Sequence, residues 1–408
     1  MLQLTHTAVP VVANVALASL VLAVMSSAML ASGWRRRMVR GDGRTEVARR
    51  PIAWLAAAVL IAAKATYESD MLLPRMSLTF SHDGVRLSGT LYLPRSRGPH
   101  PAVVLVHGSG PESRHEYAYF ARRLARAGIA ALAYDKRGVG ASTGQLYETD
   151  YAGYASDVVA ALTALRGNPR VVSSALGLVG FSEAEWTIPL AMLGHPEVAL
   201  VAIVGPSGLS PAQQVKSEMA LRLRARGHAD AVVREAMALS DGVFAYQRTG
   251  QGRDSVQRRL DAVRQYDWFR DAGKIPAQLH PAEAYAWWRS VMDVDPLPMW
   301  ERIGAPLLLI KGGRDAQSGA EHSLRAIAEA RRRGGFEAPT IFLVAEGDHM
   351  MLTWPLGQRV PPPLFARDYP DALIRWVDSV FMMRRTTASP AAMVDPAARM
   401  SATRRGLQ

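Results

Sequence analysis

The chain has 408 residues, 49% of them apolar, with 48 Lys and Arg against 36 Asp and Glu. That length fits two or three domains, or one large domain with insertions, and the composition excludes collagen-like, coiled-coil and wholly disordered chains. Cysteine is absent, which excludes a disulfide framework, thiolate zinc sites, iron–sulfur clusters and a Cys nucleophile. The net charge of +12 invites a nucleic-acid partner. The positive residues are nearly all Arg, however, with lysine only at Lys64, Lys136, Lys216, Lys274 and Lys311. They gather near the N-terminus and in the tail, so no nucleic-acid binding is expected.

Residues 8–32 form 25 uncharged positions, near the roughly 20 that a helix needs to cross a bilayer. A second apolar stretch at 51–65, with Ile52, Trp54, Leu55, Val59, Leu60 and Ile61, could span with Lys64 snorkelling to the interface. Arg35, Arg36, Arg37, Arg40, Arg44, Arg49 and Arg50 lie between them against only Asp42 and Glu46. That bias places the loop in the cytoplasm and the remaining chain on the periplasmic side, anchored by one or two N-terminal membrane helices. An alternative takes 49–65 as a signal peptide with a cleavage site near Ala65. A third keeps the two segments as a buried helical pair on a cytoplasmic protein.

From Met76 the pattern becomes β-rich. Met76 to Phe80 and Val85 to Leu93 alternate around His82-Asp83-Gly84, which predicts a hairpin. Ala102 to Val106, Ile129 to Tyr134, Leu176 to Val179, Leu200 to Val204, Pro306 to Ile310 and Thr340 to Val344 are continuous apolar runs, suited to strands buried on both faces. Helical patterns separate or follow them at Tyr117 to Ala127, Tyr151 to Leu165, Glu183 to Leu193, Ala320 to Arg333 and Asp368 to Met383. The alternation predicts an α/β fold: a mainly parallel sheet with helices on both faces. Residues 207–300 interrupt it with helical, Arg-rich and Trp-containing sequence, read as a cap, in which Trp287 and Trp288 are expected to pack rather than stack on a ligand. The expected organisation is an anchor or signal region at 1–70, a core at 71–206 and 301–385, a helical cap at 207–300 and a disordered tail at 386–408.

The chemistry gathers at strand ends. Gly180-Phe181-Ser182-Glu183-Ala184 puts a serine where an apolar strand turns into a helix. A nucleophile raised on so tight a turn needs small neighbours two residues to either side, which Gly180 and Ala184 supply. His107-Gly108-Ser109-Gly110 follows another buried strand, and the backbone amides of Ser109 and Glu183 are the expected oxyanion hole. His107 itself is expected to be structural. Asp315 and His349 follow later strands, so that Ser182, Asp315 and His349 occur in the chain order of a Ser-Asp-His triad. Asp348 is a rival acid, disfavoured because it adjoins His349. Asp135 and Arg137 are expected to pin a turn beneath the site.

Residues from about 76 to 385 resemble the α/β-hydrolase superfamily, and within it bacterial carboxylesterases of the EstD type, related to serine-peptidase and dienelactone-hydrolase-like groups. The phrases that carry the resemblance are HGSGPESR at 107–114, YDKRGVGAST at 134–143, GFSEAEWTIP at 180–189, GGRD at 312–315 and GDH at 347–349. The resemblance implies hydrolysis of a small-molecule ester, with Ser182, Asp315 and His349 on the family's triad positions. Where relatives resemble G-H-S-E-G-G, this chain carries Ala184 and Glu185, and the long side chain of Glu185 is expected to crowd the helix start or reach the acyl pocket. Ser113, His115 and Glu116 also depart from the acidic or amide residues that relatives favour after HGSGP.

The leading expectation is therefore a serine esterase. Thioesterase and peptidase chemistry would use the same machinery, and a catalytically silent binding protein on the same fold is the alternative motivated by Glu185. No cofactor and no metal are expected, because the chain has neither a P-loop pattern nor histidines at paired metal-ligand spacing.

Overall fold

The computed structural model describes residues 73–194, 197–353, 364–366 and 368–387. The expected membrane or signal segments at 8–32 and 51–65 and the tail beyond 387 lie outside the described residues. Among the described residues no helix is long and apolar enough to cross a membrane.

β1 (Arg75–His82) and β2 (Val85–Tyr92) form the antiparallel hairpin, turning at Asp83 and Gly84, both with positive φ. β3 (His100–Val106), β4 (Ala130–Tyr134), β5 (Val171–Phe181), β6 (Leu200–Val204), β7 (Leu307–Gly312) and β8 (Thr340–Val344) complete one eight-stranded sheet in the order β1-β2-β4-β3-β5-β6-β7-β8. The pairings from β4 through β8 are parallel, and only β2 meets its two neighbours antiparallel. Short strands β9 (Leu352–Thr353) and β10 (Leu364–Phe365) pair separately and carry no pattern readable in the sequence.

Helices cover both faces, as parallel strands require. On one face α2 (Tyr151–Arg166), α3 (Ala184–Gly194) and α10 (Ala320–Arg333) bury Val158, Leu162, Ile188 and Ile327 against the sheet. On the other, α1 (Ala118–Arg126) and α11 (Tyr369–Thr387) bury Phe120, Leu124, Leu373 and Val377. The run at Thr340–Val344 departs from expectation. As β8 it forms the sheet's edge, and Ile341 and Leu343 are 47% and 52% exposed.

Between β6 and β7 the chain leaves the sheet for α4 (Pro211–Ala225), α5 (Asp230–Thr249), α6 (Arg253–Val263), α7 (Asp267–Ala272), a 3₁₀ turn at Ala282–Tyr285, α8 (Ala286–Val291) and α9 (Leu297–Trp300). A Ser210–Gln213 capping box with Pro211 in the first turn starts α4 sharply after the sheet strand. These helices bury an apolar cluster of their own, including Met219, Leu223, Leu239, Leu260 and Trp268, and form a cap over the C-terminal strand ends.

Candidate active site

Ser182 lies between β5 and α3 with φ +48°, a left-handed conformation rare for a residue with a side chain. Its amide donates to Val204 O at 2.8 Å, which fixes the turn to β6. A Cβ on Gly180 would come within 2.5 Å of the Ala184 Cβ and 2.6 Å of Ile188 Cδ1, the steric reason for small residues on both sides of Ser182.

His349 and Asp315 stand on the loops after β8 and β7. Those loops meet backbone to backbone: a Cβ on Gly312 would overlap the carbonyls of Gly347 and Asp348, and Arg314 N donates to Gly347 O at 2.9 Å. The close approach brings His349 Nδ1 to 2.8 Å from Asp315 Oδ2 and His349 Nε2 to 2.8 Å from Ser182 Oγ. An ionised carboxylate can only accept, so Nδ1 carries the proton and Nε2 is left to accept from the serine hydroxyl. Burial alone would lift the Asp315 carboxyl, but the hydrogen bond and charge of His349 and the Lys311 ammonium outweigh it and hold the group down at about 2. Lys311 Nζ, fully buried, donates to Asp315 Oδ2 at 2.6 Å, Ser318 Oγ at 2.8 Å and Pro206 O at 2.8 Å.

Ser109 and Glu183, the expected oxyanion donors, line the same cavity as Ser182 and His349. Among the described residues neither backbone amide has a hydrogen-bond acceptor. Beside them the Glu112 carboxylate accepts from Gly108 N at 2.7 Å and from the Tyr117 hydroxyl. Burial, opposed by Tyr117 and Lys136, pushes its pKa up to about 7.

Glu185 does not behave as the sequence suggests. It is wholly buried, does not line the cavity, and turns from α3 to the loop after β6. There Oε2 accepts from Ser207 N at 2.8 Å and Gly208 N at 2.9 Å, and Oε1 from the Ser207 hydroxyl. The helix start is uncrowded because the chain leaving β6 closes around the carboxylate. The rival acid Asp348 instead caps its own loop, accepting from Met350 N and Leu352 N, both at 2.9 Å. His107 is structural as expected, donating from Nε2 to Tyr134 O at 2.6 Å, and burial lowers its pKa to about 3. Asp135 gathers the Arg114 guanidinium and the amide of Ala141, while Arg137 grips Asp157 through two 2.7 Å bonds, so both pin the turn after β4.

The cavity over the relay measures about 800 Å³, is lined on one side by the cap and stays open to solvent. Trp288 packs on the cap's apolar cluster, whereas Trp287 reaches from the cap onto Tyr147 and the cluster of Tyr151 and Trp186; all three tryptophans line the cavity. Their ring N–H groups donate to Thr149 O, Gln247 Oε1 and Leu209 O at 2.9, 2.8 and 2.9 Å, so the indoles offer the cavity apolar ring surface. Gln214, Gln317, Glu218 and Lys274 add polar groups. Among the described residues no group of three or more His, Asp or Glu is placed to hold a metal ion.

Lys136 and Lys311, given no role by sequence pattern alone, are both buried behind the loops that form the site. The available signal is their rarity: with five lysines among 48 basic side chains, a lysine beside each of two strand ends is a choice of ammonium over guanidinium.

A serine lifted on a strand-to-helix turn, with acid and base supplied in chain order from later ends of a parallel sheet, makes this an α/β-hydrolase. The chain belongs to the serine aminopeptidase S33 family (Hydrolase_4), whose model it matches over residues 97–353. It is 35% identical over 127 residues to thiohydrolase apmlB of Arthrinium phaeospermum, covering 31% of this chain and 40% of that protein. It is 31% identical over 124 residues to esterase FrsA of Escherichia fergusonii, covering 30% of this chain and 29% of that one. The match thus spans less than half the length of either relative. Among solved structures, Pyrococcus furiosus esterase Pf2001 aligns over 77% of this chain and 92% of its own, with 17% identity and a TM-score of 0.47.

Proposed function

We propose that the protein is a serine hydrolase that cleaves carboxylic esters through an acyl-enzyme on Ser182. The observation that carries the reading is the unbroken relay from Asp315 through His349 to Ser182, two 2.8 Å hydrogen bonds that end on an elbow serine lining the cavity under the cap. His349 takes the hydroxyl proton as Ser182 Oγ attacks the ester carbonyl, and returns it to the departing alcohol. The amides of Ser109 and Glu183 hold the oxyanion, and Asp315 keeps the imidazole in its reactive tautomer and stabilises the imidazolium. Water then repeats the sequence to release the acid. With Glu185 turned away from the cavity, the silent-protein alternative loses the feature that motivated it.

Fluorophosphonate labelling with mass spectrometry tests the reading. An adduct on Ser182 that disappears in Ser182→Ala is the expected result, and no adduct on folded wild-type protein would overturn it. The thiohydrolase and esterase relatives make matched thioester and oxygen-ester substrates the natural pair for turnover. The apolar segments at 8–32 and 51–65 flanking an Arg-rich loop support a membrane anchor with the catalytic region on the periplasmic side. Protease accessibility in spheroplasts checks that placement.

A further inference from the structure

Lys136 and Glu183, the residue next to Ser182, form an ion pair of 2.5 Å, with both side chains at most 5% exposed. A buried pair of this kind is weak evidence for stability, since desolvation offsets much of its attraction. Its placement suggests a different role. The same Lys136 ammonium donates to Gly108 O at 2.9 Å, and it lies 4.6 Å from the centre of the Tyr154 ring. Gly108 C=O and Ser109 N–H belong to one planar trans peptide, so they point in opposite directions. Holding the oxygen down on the ammonium therefore aims the Ser109 N–H the other way.

We infer that Lys136 is a positioning residue that orients the Gly108–Ser109 peptide, and that its bond to the Glu183 side chain ties the two amides of the oxyanion hole into one unit. The inference rests on the reading of Ser109 and Glu183 as oxyanion donors given above. The loop needs such a lock. Gly108 has no Cβ and Gly110 sits at φ +96°, so the intervening backbone has the freedom for the peptide to rotate. A rotated peptide would turn its N–H toward the ammonium and its carbonyl oxygen toward the developing oxyanion. Lys136 opposes both. Its own amide donates to Glu112 O at 3.2 Å, which fastens the turn after β4 to the same loop. Glu183 completes the unit, because its side chain holds the ammonium while its own N–H is the second donor.

Lys136→Met alone would strand a buried carboxylate, so the decisive variant is the double substitution Lys136→Met with Glu183→Gln, which removes both charges together. The expected result on folded protein is a fall in kcat of about 10² to 10³, the loss typical of one oxyanion donor. KM should move by less than about threefold, because the oxyanion exists only in the transition state. Glu183→Gln alone keeps the bond from Lys136 to Gly108 and is expected to lose less. A double variant that melts like wild type and keeps wild-type kcat, or whose loss lies wholly in KM, overturns the inference. Failure of the esterase reading shows separately, as wild-type protein that takes no fluorophosphonate on Ser182.

Discussion

Glu183 and Glu185 stand two residues apart beside Ser182, and both are buried, yet where the chain enters α3 their side chains go to different partners, Glu183 to Lys136 and Glu185 to Ser207. Burial pushes Glu185 up to about 7 against the hydrogen bonds of Ser207 and Gly208 and the charge of Lys311. A carboxyl whose folded pKa lies above its unfolded value of 4.5 binds more protons in the native state. Stability from this group is therefore full below pH 4.5 and is lost as pH rises through about 7. Glu185→Gln should remove that dependence: the amide oxygen can accept both backbone N–H groups, and the amide nitrogen can donate to the Ser207 hydroxyl. The variant is expected to gain on wild type in urea melts at pH 8 and to match it near pH 5. Asp315 carries the opposite sign, its contribution present above its unfolded value of 3.8 and lost as pH falls toward about 2. In Asp315→Asn the amide favours the wrong imidazole tautomer, and kcat should fall by about 10⁴-fold, with the Ser182 adduct forming correspondingly slowly.

The turn from β5 into α3 has no room to spare. Gly180→Ala would press a methyl group onto Ala184 and Ile188 and should cost about 1 to 3 kcal/mol in equilibrium unfolding, with a displaced nucleophile lowering kcat besides. On the cap, Trp287→Ala removes an indole from the cavity wall, and kcat/KM should fall more for naphthyl than for acetyl-sized esters in a paired assay. Much of this was legible from residues. The apolar runs at β3 through β7 read as buried parallel strands, and Ser182, Asp315 and His349 followed from strand-end position and chain order. The run at Thr340–Val344 looked the same in sequence, but apolar content cannot distinguish a central strand from an edge, which depends on what comes after. An indole at helical spacing likewise reads the same whether it faces a core or a cavity. The destinations of Glu185 and Lys136 depended on loops more than twenty residues away in the chain, beyond any local pattern.

Across the whole molecule, Ser182, Asp315 and His349 come from three loops at one end of the sheet, and the cap enters between β6 and β7 without interrupting any strand. The chain leaving β6 toward the cap touches the site. Gly205 packs beneath the His349 ring, and Pro206 O holds the ammonium that steadies Asp315. Asp315 and Ser182 follow strands flanked on both sides, whereas His349 follows β8, which among the described residues pairs only with β7 and leaves Ile341 and Leu343 in water. An edge with one neighbour is where local opening is cheapest. Heated slowly, this molecule should fall silent before it melts. Turnover should vanish at a temperature where circular dichroism still reports an intact sheet, and coincidence of the two curves would mean that the edge is held as firmly as the centre.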